Sequence, residues 1–180
     1  MRGEDIKDPS PPHASEDLRF IADSMLGRLS RWLRLLGYDT LYFPTIEDNK
    51  IIRIARSEGR ILLTRDTRLI KEKGVGVKFL LLTSNDTVHQ VLEVIKIFGL
   101  MAGDMKRCAL CNGVLKNIEK ASVQDSVPEY VYLNFSSFMK CTECGKVYWQ
   151  GSHIRRFRDR FEKMISVSSE SNQDMEETEN

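Results

Sequence analysis

The sequence predicts an α/β fold in which a parallel sheet flanked by helices is followed by a small β module and a C-terminal helix. Three observations carry this expectation. Short apolar runs alternate with helical periodicities over residues 18–100; four cysteines sit among turn residues within 101–152; helical spacing returns at 153–165. Continuous apolar strands separated by helices indicate a parallel sheet covered on both faces.

Taken in order, Leu18, Phe20 and Ile21 form an apolar strand that ends at Ala22 and Asp23. Leu26, Leu29, Leu33 and Leu36 then fall at helical spacing, Trp32 widens that face, and Gly37 supplies a stop. Residues 39–43 (DTLYF) read as a second strand. Asp48 begins a helix marked by Ile51, Ile52, Ile54 and Ala55 and closed by Gly59. ILLT at 61–64 is a buried strand leading to Arg65 and Asp66, with a short helix to about Lys73. VKFLLL at 77–82 is another strand. Ser84-Asn85-Asp86 caps the next helix, which carries Val88, Val91, Leu92, Ile95 and Phe98. In the β module, YVYLNF at 130–135 reads as a short strand.

The formal net charge of +1 averages unlike parts. It is −3 over residues 1–17, −5 over 166–180 and +9 over 18–165. The first stretch, rich in proline, is expected to be a flexible lead, and the last to be a disordered acidic tail. A basic core favours polyanionic partners, although such charge is often only a solvated surface. The start is polar and no apolar run reaches the ~18 residues of a membrane span, so a cytoplasmic location is expected.

Ligands of an open parallel sheet bind outside the carboxyl ends of its strands. Asp23 and Asp66 each follow a strand, and Asp48 starts the helix after another, so all three belong to that edge. Carboxylates gathered there repel one another unless a divalent cation neutralises them. Mg²⁺ or Mn²⁺ suits oxygen ligands and can activate water against a phosphodiester. Each aspartate also sits where a helix N-cap is wanted, and a capping aspartate can keep one oxygen free. Asp86 is a further candidate acid or a plain cap. Asp39 opens its strand, at the opposite edge.

Cys108-Ala-Leu-Cys111 and Cys141-Thr-Glu-Cys144 use every cysteine of the chain. Two CxxC pairs predict a tetrahedral, structural zinc site, because four thiolates leave no open position for water. The alternatives are disulfides or free thiols, the former disfavoured in a reducing compartment. The 29 intervening residues exceed the usual ~15–20, and a hairpin around YVYLNF would fill them. Asn112-Gly113 and Gly145 supply the tight turns.

The stretch DNKIIRIARSEGRILLTRD, from Asp48 to Asp66, resembles the PIN-domain nucleases. FIADSMLGRLSRWLRLLGYD, LLTRD, the two CxxC pairs and YWQGSH together resemble the Mut-7 C-terminal RNase family over about residues 18–160. The resemblance implies a PIN-like nuclease domain at 18–100, a zinc ribbon at 101–152 and a C-terminal helix at 153–165. It also implies a metal-dependent ribonuclease with Asp23, Asp48 and Asp66 as the acidic cluster.

Arginines are candidates to hold the RNA backbone. Arg31 and Arg34 lie opposite the leucine face of the first helix, with Arg28 on the flank nearer Asp23. Arg65 and Arg68 flank Asp66, and His153, Arg155 and Arg156 follow the ribbon. Guanidinium forks match phosphate geometry, although a solvated helix face accounts for Arg158 and Arg160. Tyr148 and Trp149 offer rings for base stacking or for packing the small module. Two other functions fit the same residues: an RNA-binding module without catalysis, and a regulatory subunit that binds a protein partner. Phospho-aspartate phosphatase chemistry is disfavoured by the lack of a second aspartate two residues after Asp23.

Overall fold

A computed structural model of the chain describes residues 18–151 apart from 75 and 102, together with 156, 159 and 161–163. The chain divides into two units, one ending at Val114 and one beginning at Leu115.

In the first unit, β1 (Arg19–Ala22) leads through a 3-10 turn at Ser24–Leu26 into α1 (Gly27–Leu35). Then come β2 (Asp39–Tyr42), α2 (Asp48–Glu58), β3 (Ile61–Thr64), α3 (Thr67–Lys73), β4 (Phe79–Leu81) and α4 (Thr87–Phe98). The strands form one sheet in the order β2-β1-β3-β4, every neighbouring pair parallel. Phe20, Ile21 and Ala22 are wholly buried, as are Leu62, Leu63 and Thr64, which explains their near-continuous apolar character.

Successive residues of β1 serve opposite faces of the sheet. Phe20 meets Phe98 of α4 edge-to-face at 5.4 Å, whereas Ile21 packs with Ile51, Ile52 and Ala55 of α2 and Leu69 of α3. Burying a side chain of this size contributes about 1.5–3 kcal/mol. Gly59 ends α2 in the left-handed region (φ 61°), where a side chain would be strained. The strand expected at 77–82 is confined to Phe79–Leu81. The order reverses between β1 and β3, the chain going left to β2 and then crossing back to β3. That reversal leaves a crevice at the carboxyl ends of β1 and β3.

The second unit holds β5 (Leu115–Ile118), a 3-10 turn at Lys120–Val123, α5 (Glu129–Asn134), β6 (Phe138–Cys141) and β7 (Val147–Trp149). β5, β6 and β7 form an antiparallel sheet in that order. The expected strand at 130–135 is instead α5. Aromatic and β-branched residues suggested a strand, but Pro128 sets the helix entry and the packing follows a helical period. Val131 is buried with Val123 and Phe138, and Tyr132 and Phe135 join it, whereas Tyr130 and Leu133 are 72% and 68% exposed. The 29 residues between the CxxC pairs therefore contain β5, a 3-10 turn, α5 and most of β6 rather than a hairpin around YVYLNF.

Arg156, Asp159 and 161–163 are helical, and Phe161 is buried. The lead at 1–17, the tail at 166–180 and most of the expected C-terminal helix lie outside the described residues. No helix among the described residues is long and apolar enough to cross a membrane.

Candidate active site and metal centre

The crevice between β1 and β3 brings Asp23 and Asp66 together through one hydroxyl. Thr64, the last residue of β3, donates from Oγ1 to Asp23 Oδ2 at 2.9 Å and accepts from the Asp66 backbone N–H at 3.0 Å. Sheet register makes this possible: the Asp23 N–H donates to the Leu63 carbonyl at 3.0 Å, continuing the ladder one residue beyond β1. Asp23 also accepts from the Ser24 hydroxyl at 3.1 Å.

Asp66 is the N-cap of α3. Its Oδ1 accepts from the backbone N–H groups of Arg68 (2.8 Å) and Leu69 (3.1 Å), and no bond is formed by Oδ2 among the described residues. Asp48 is the first residue of α2 and makes no cap bond, because Glu47 occupies that position. Its Oδ2 instead pairs with Lys73 Nζ at 3.3 Å. Asp86 caps α4 through the N–H groups of Val88 (2.9 Å) and His89 (3.0 Å). The His89 backbone bond outweighs burial and holds that carboxyl below its ordinary range. Among the described residues, Asp23, Asp48 and Asp66 do not form a group of ligand atoms close enough to share one ion.

Beside Asp23 lies a cleft of about 480 Å³ lined by Arg28 and Arg31 of α1, Tyr42 at the end of β2, Arg65 after β3, and Asn85 and Gln90 around the start of α4. Arg28 and Arg65 therefore stand where the sequence suggested. Arg31, also among the arginines considered from the sequence, joins them, and Arg68, exposed on α3, is not in the lining. Gly27 lets Tyr42 lie across the start of α1: a Cβ there would come within 2.7 Å of the Tyr42 ring. The Tyr42 hydroxyl donates to the Ser24 carbonyl at 3.1 Å. Arg156 is helical and exposed, and His153 and Arg155 lie outside the described residues.

Among the described residues, the four cysteines are the group that could hold an ion. Their sulfurs all lie within 4.8 Å of one another, with Cys108 and Cys141 buried and Cys111 and Cys144 exposed. A tetrahedral zinc at a Zn–S distance of ~2.3 Å spaces its sulfurs about 3.8 Å apart, so this donor set suits it. Each turn is knuckle-like. Asn112 adopts φ 71° and Gly145 φ 72°, the Asn112 N–H donates to the Cys108 carbonyl, and the Cys141 sulfur accepts from the Glu143 and Cys144 N–H groups at 3.4 and 3.5 Å.

A buried polar network, absent from the sequence-based expectations, fixes the first knuckle to α1 and β2. Arg34, 3% exposed rather than on a solvated face, donates to the carbonyls of Thr40 (2.8 Å) and Leu110 (2.9 Å). Burial lowers its pKa while the nearby cysteines oppose that shift. Asp39 accepts from Arg60 (2.7 Å), Asn112 (2.7 Å) and Arg107 (3.2 Å). Burial alone would raise the Asp39 pKa, but the bonds from Arg60 and Asn112 outweigh it and leave the carboxyl below its ordinary value. Arg60, against its own burial, is raised by Asp39 and Glu58. An aspartate at a strand start followed 21 residues later by an arginine is too loose a pattern to have signalled this.

Comparison with known proteins agrees with this architecture. The family model of the Mut7-C RNase domain matches residues 18–161. A human protein, "Exonuclease mut-7 homolog", is 23% identical over an alignment that covers 87% of this chain. The aligned region spans 27% of that protein's length.

Proposed function

Since this chain belongs to the Mut7-C RNase domain family, we propose that it hydrolyses RNA phosphodiester bonds at the carboxyl edge of β1 and β3. The observation that carries this reading is the Thr64 hydroxyl tying Asp23 to the Asp66 backbone beside an arginine-lined cleft. Asp23 and Asp66 are the primary ligands for Mg²⁺ or Mn²⁺, and the donor set fits: Mg²⁺ keeps several waters and is often held by only one or two carboxylates plus substrate phosphates. Such an ion, when bound, makes water more acidic and stabilises charge on the phosphoryl oxygens. Asp48 is the third acid. Its partly exposed pair with Lys73 is worth ~0–1 kcal/mol and yields readily.

The chain's own residues do the positioning. Thr64 fixes the Asp23 carboxylate, Asp66 anchors α3 with Oδ1 and presents Oδ2, and Arg28, Arg65 and Arg68 hold phosphates. Arg156, with His153 and Arg155 assigned from sequence, extends the RNA path. The cysteine site takes a structural zinc, and the cytoplasm is the expected compartment.

Replacing both Asp23 and Asp66 by Asn, in the full chain, abolishes cleavage of a labelled RNA while circular dichroism stays unchanged. Undiminished, EDTA-resistant cleavage by that variant overturns the reading. RNA binding without catalysis is the second reading, favoured by the cap bonds that Asp66 and Asp86 already make. Retained RNA affinity with no Mg²⁺ or Mn²⁺ binding selects it.

A further inference from the structure

Two sets of arginines stand out among the described residues. Arg60 and Arg107 are paired with Asp39, and Arg34 is spent on backbone carbonyls. Arg28, Arg31 and Arg65 line one cleft, and none has an ion-pair partner among the described residues. Arg65 carries a further sign. Its Nε is buried with no hydrogen-bond partner, the one side-chain polar atom in that condition among the described residues. A buried donor without an acceptor is costly and rare in a folded protein, and a ligand oxygen is one way to satisfy it.

The remaining walls are also shaped. The Tyr42 ring is seated over Gly27, where any side chain would displace it. Gln90, 4% exposed, is held by its Nε2 bond to the Ser84 carbonyl at 2.8 Å. Asn85 adds an exposed amide. The cleft volume of about 480 Å³ falls in the range of small-molecule sites. Three guanidinium groups without ion-pair partners among the described residues, one ring and two amides are the chemistry that holds a phosphate, stacks a base and contacts its edge.

We propose that this cleft is a subsite for one nucleotide, binding a phosphate on Arg28, Arg31 and Arg65 and a base against Tyr42, Asn85 and Gln90. That phosphate is distinct from the one attacked at Asp23 and Asp66. The subsite rests on the ribonuclease reading only for the neighbour it serves, since its own ligand chemistry needs no cleavage.

The test is binding of 5′-AMP and 5′-UMP to the full chain in EDTA, followed by calorimetry or NMR, with inorganic phosphate as the comparison. At least one mononucleotide is expected to bind about tenfold or more tightly than phosphate. Arg31→Ala should weaken it about tenfold, Tyr42→Leu should remove most of the advantage over phosphate, and Arg53→Ala, on α2 and outside the lining, should change nothing. Equal affinity for phosphate and both mononucleotides, or unchanged binding by an Arg31→Ala/Arg65→Ala double variant, overturns the proposal. Binding retained by Asp23→Asn/Asp66→Asn supports the subsite whether or not that variant cleaves RNA, which separates its fate from that of the nuclease reading.

Discussion

Asn112 Nδ2 donates to Asp39 Oδ1 at 2.7 Å, joining the turn after the first cysteine pair to the first residue of β2. The other end of the same amide accepts from the Thr40 N–H at 2.9 Å. One side chain thus closes two bonds, one of them to a charge, at a position 6% exposed.

Asn112→Ala should therefore lower unfolding free energy by about 2–4 kcal/mol, since it orphans the Thr40 N–H, strips a bond from a carboxylate and strains a residue at positive φ. Urea denaturation checks this. Asn112→Gly, which relieves the backbone, should recover part of the loss.

The Asp39 carboxyl, held below its ordinary pKa, contributes stability that is fully present above the unfolded value near pH 4. It is lost as pH falls through the depressed folded value. Melting temperature measured from pH 6 to pH 2 should fall less steeply, at the acid end, for Asp39→Asn than for the wild-type chain, and the variant should be less stable at neutral pH. Parallel curves for the two proteins would contradict the assignment.

Thr64→Val keeps the shape of a fully buried residue and deletes the hydroxyl that links Asp23 to Asp66. RNA cleavage should drop at least tenfold while stability falls by ~1–2 kcal/mol. Thr64→Ser should restore most of the activity, a rescue that a packing defect would not give.

Asp66 has a cap and a proposed ligand on one carboxylate, and two substitutions separate them. Asn caps as well as Asp, so Asp66→Asn should hold stability within ~0.5 kcal/mol and lose cleavage. Asp66→Ala should lose both, with about 1 kcal/mol of stability gone.

Cys141, buried and accepting two backbone N–H bonds at its sulfur, should be the thiol least tolerant of replacement. Cys141→Ser should reduce bound zinc, measured by elemental mass spectrometry, well below one equivalent and lower the melting temperature. A strong chelator should produce the same shift in the wild-type chain.

Much of the α/β unit was legible in the sequence because its strands are buried on both faces and its helices end on glycines. ILLT matched β3 residue for residue, and Gly59 closed α2. The antiparallel module was harder. Its strands are as short as those of the α/β unit but only partly buried, so no continuous apolar run marks them, and YVYLNF has strand-like composition on a helical burial pattern. At the site, position along the chain foretold that Asp23 and Asp66 would share an edge, but not that Thr64 would be the link. Arg34 was misjudged for a related reason: an arginine away from the leucines reads as solvated, and only the returning turn at 109–110 reveals what it grips. Arg31, Tyr42 and Gln90 meet through three separate elements, which no local window can see.

The bonds from Arg34 to the carbonyls of Ala109 and Leu110 lie inside the loop that carries Cys108 and Cys111. These bonds belong to the α/β unit and involve no metal, so they shape that loop whether or not an ion is present. In many small zinc modules the ion must organise all four thiols from a floppy chain, and folding and loading are one event. Here half of the donor set is prearranged by α1 and β2. The chain entropy of ordering Cys108 and Cys111 is thereby already spent in folding the α/β unit, and is not left to be lost on binding an ion. The first CxxC turn thus owes its shape to an arginine of the neighbouring helix rather than to a metal.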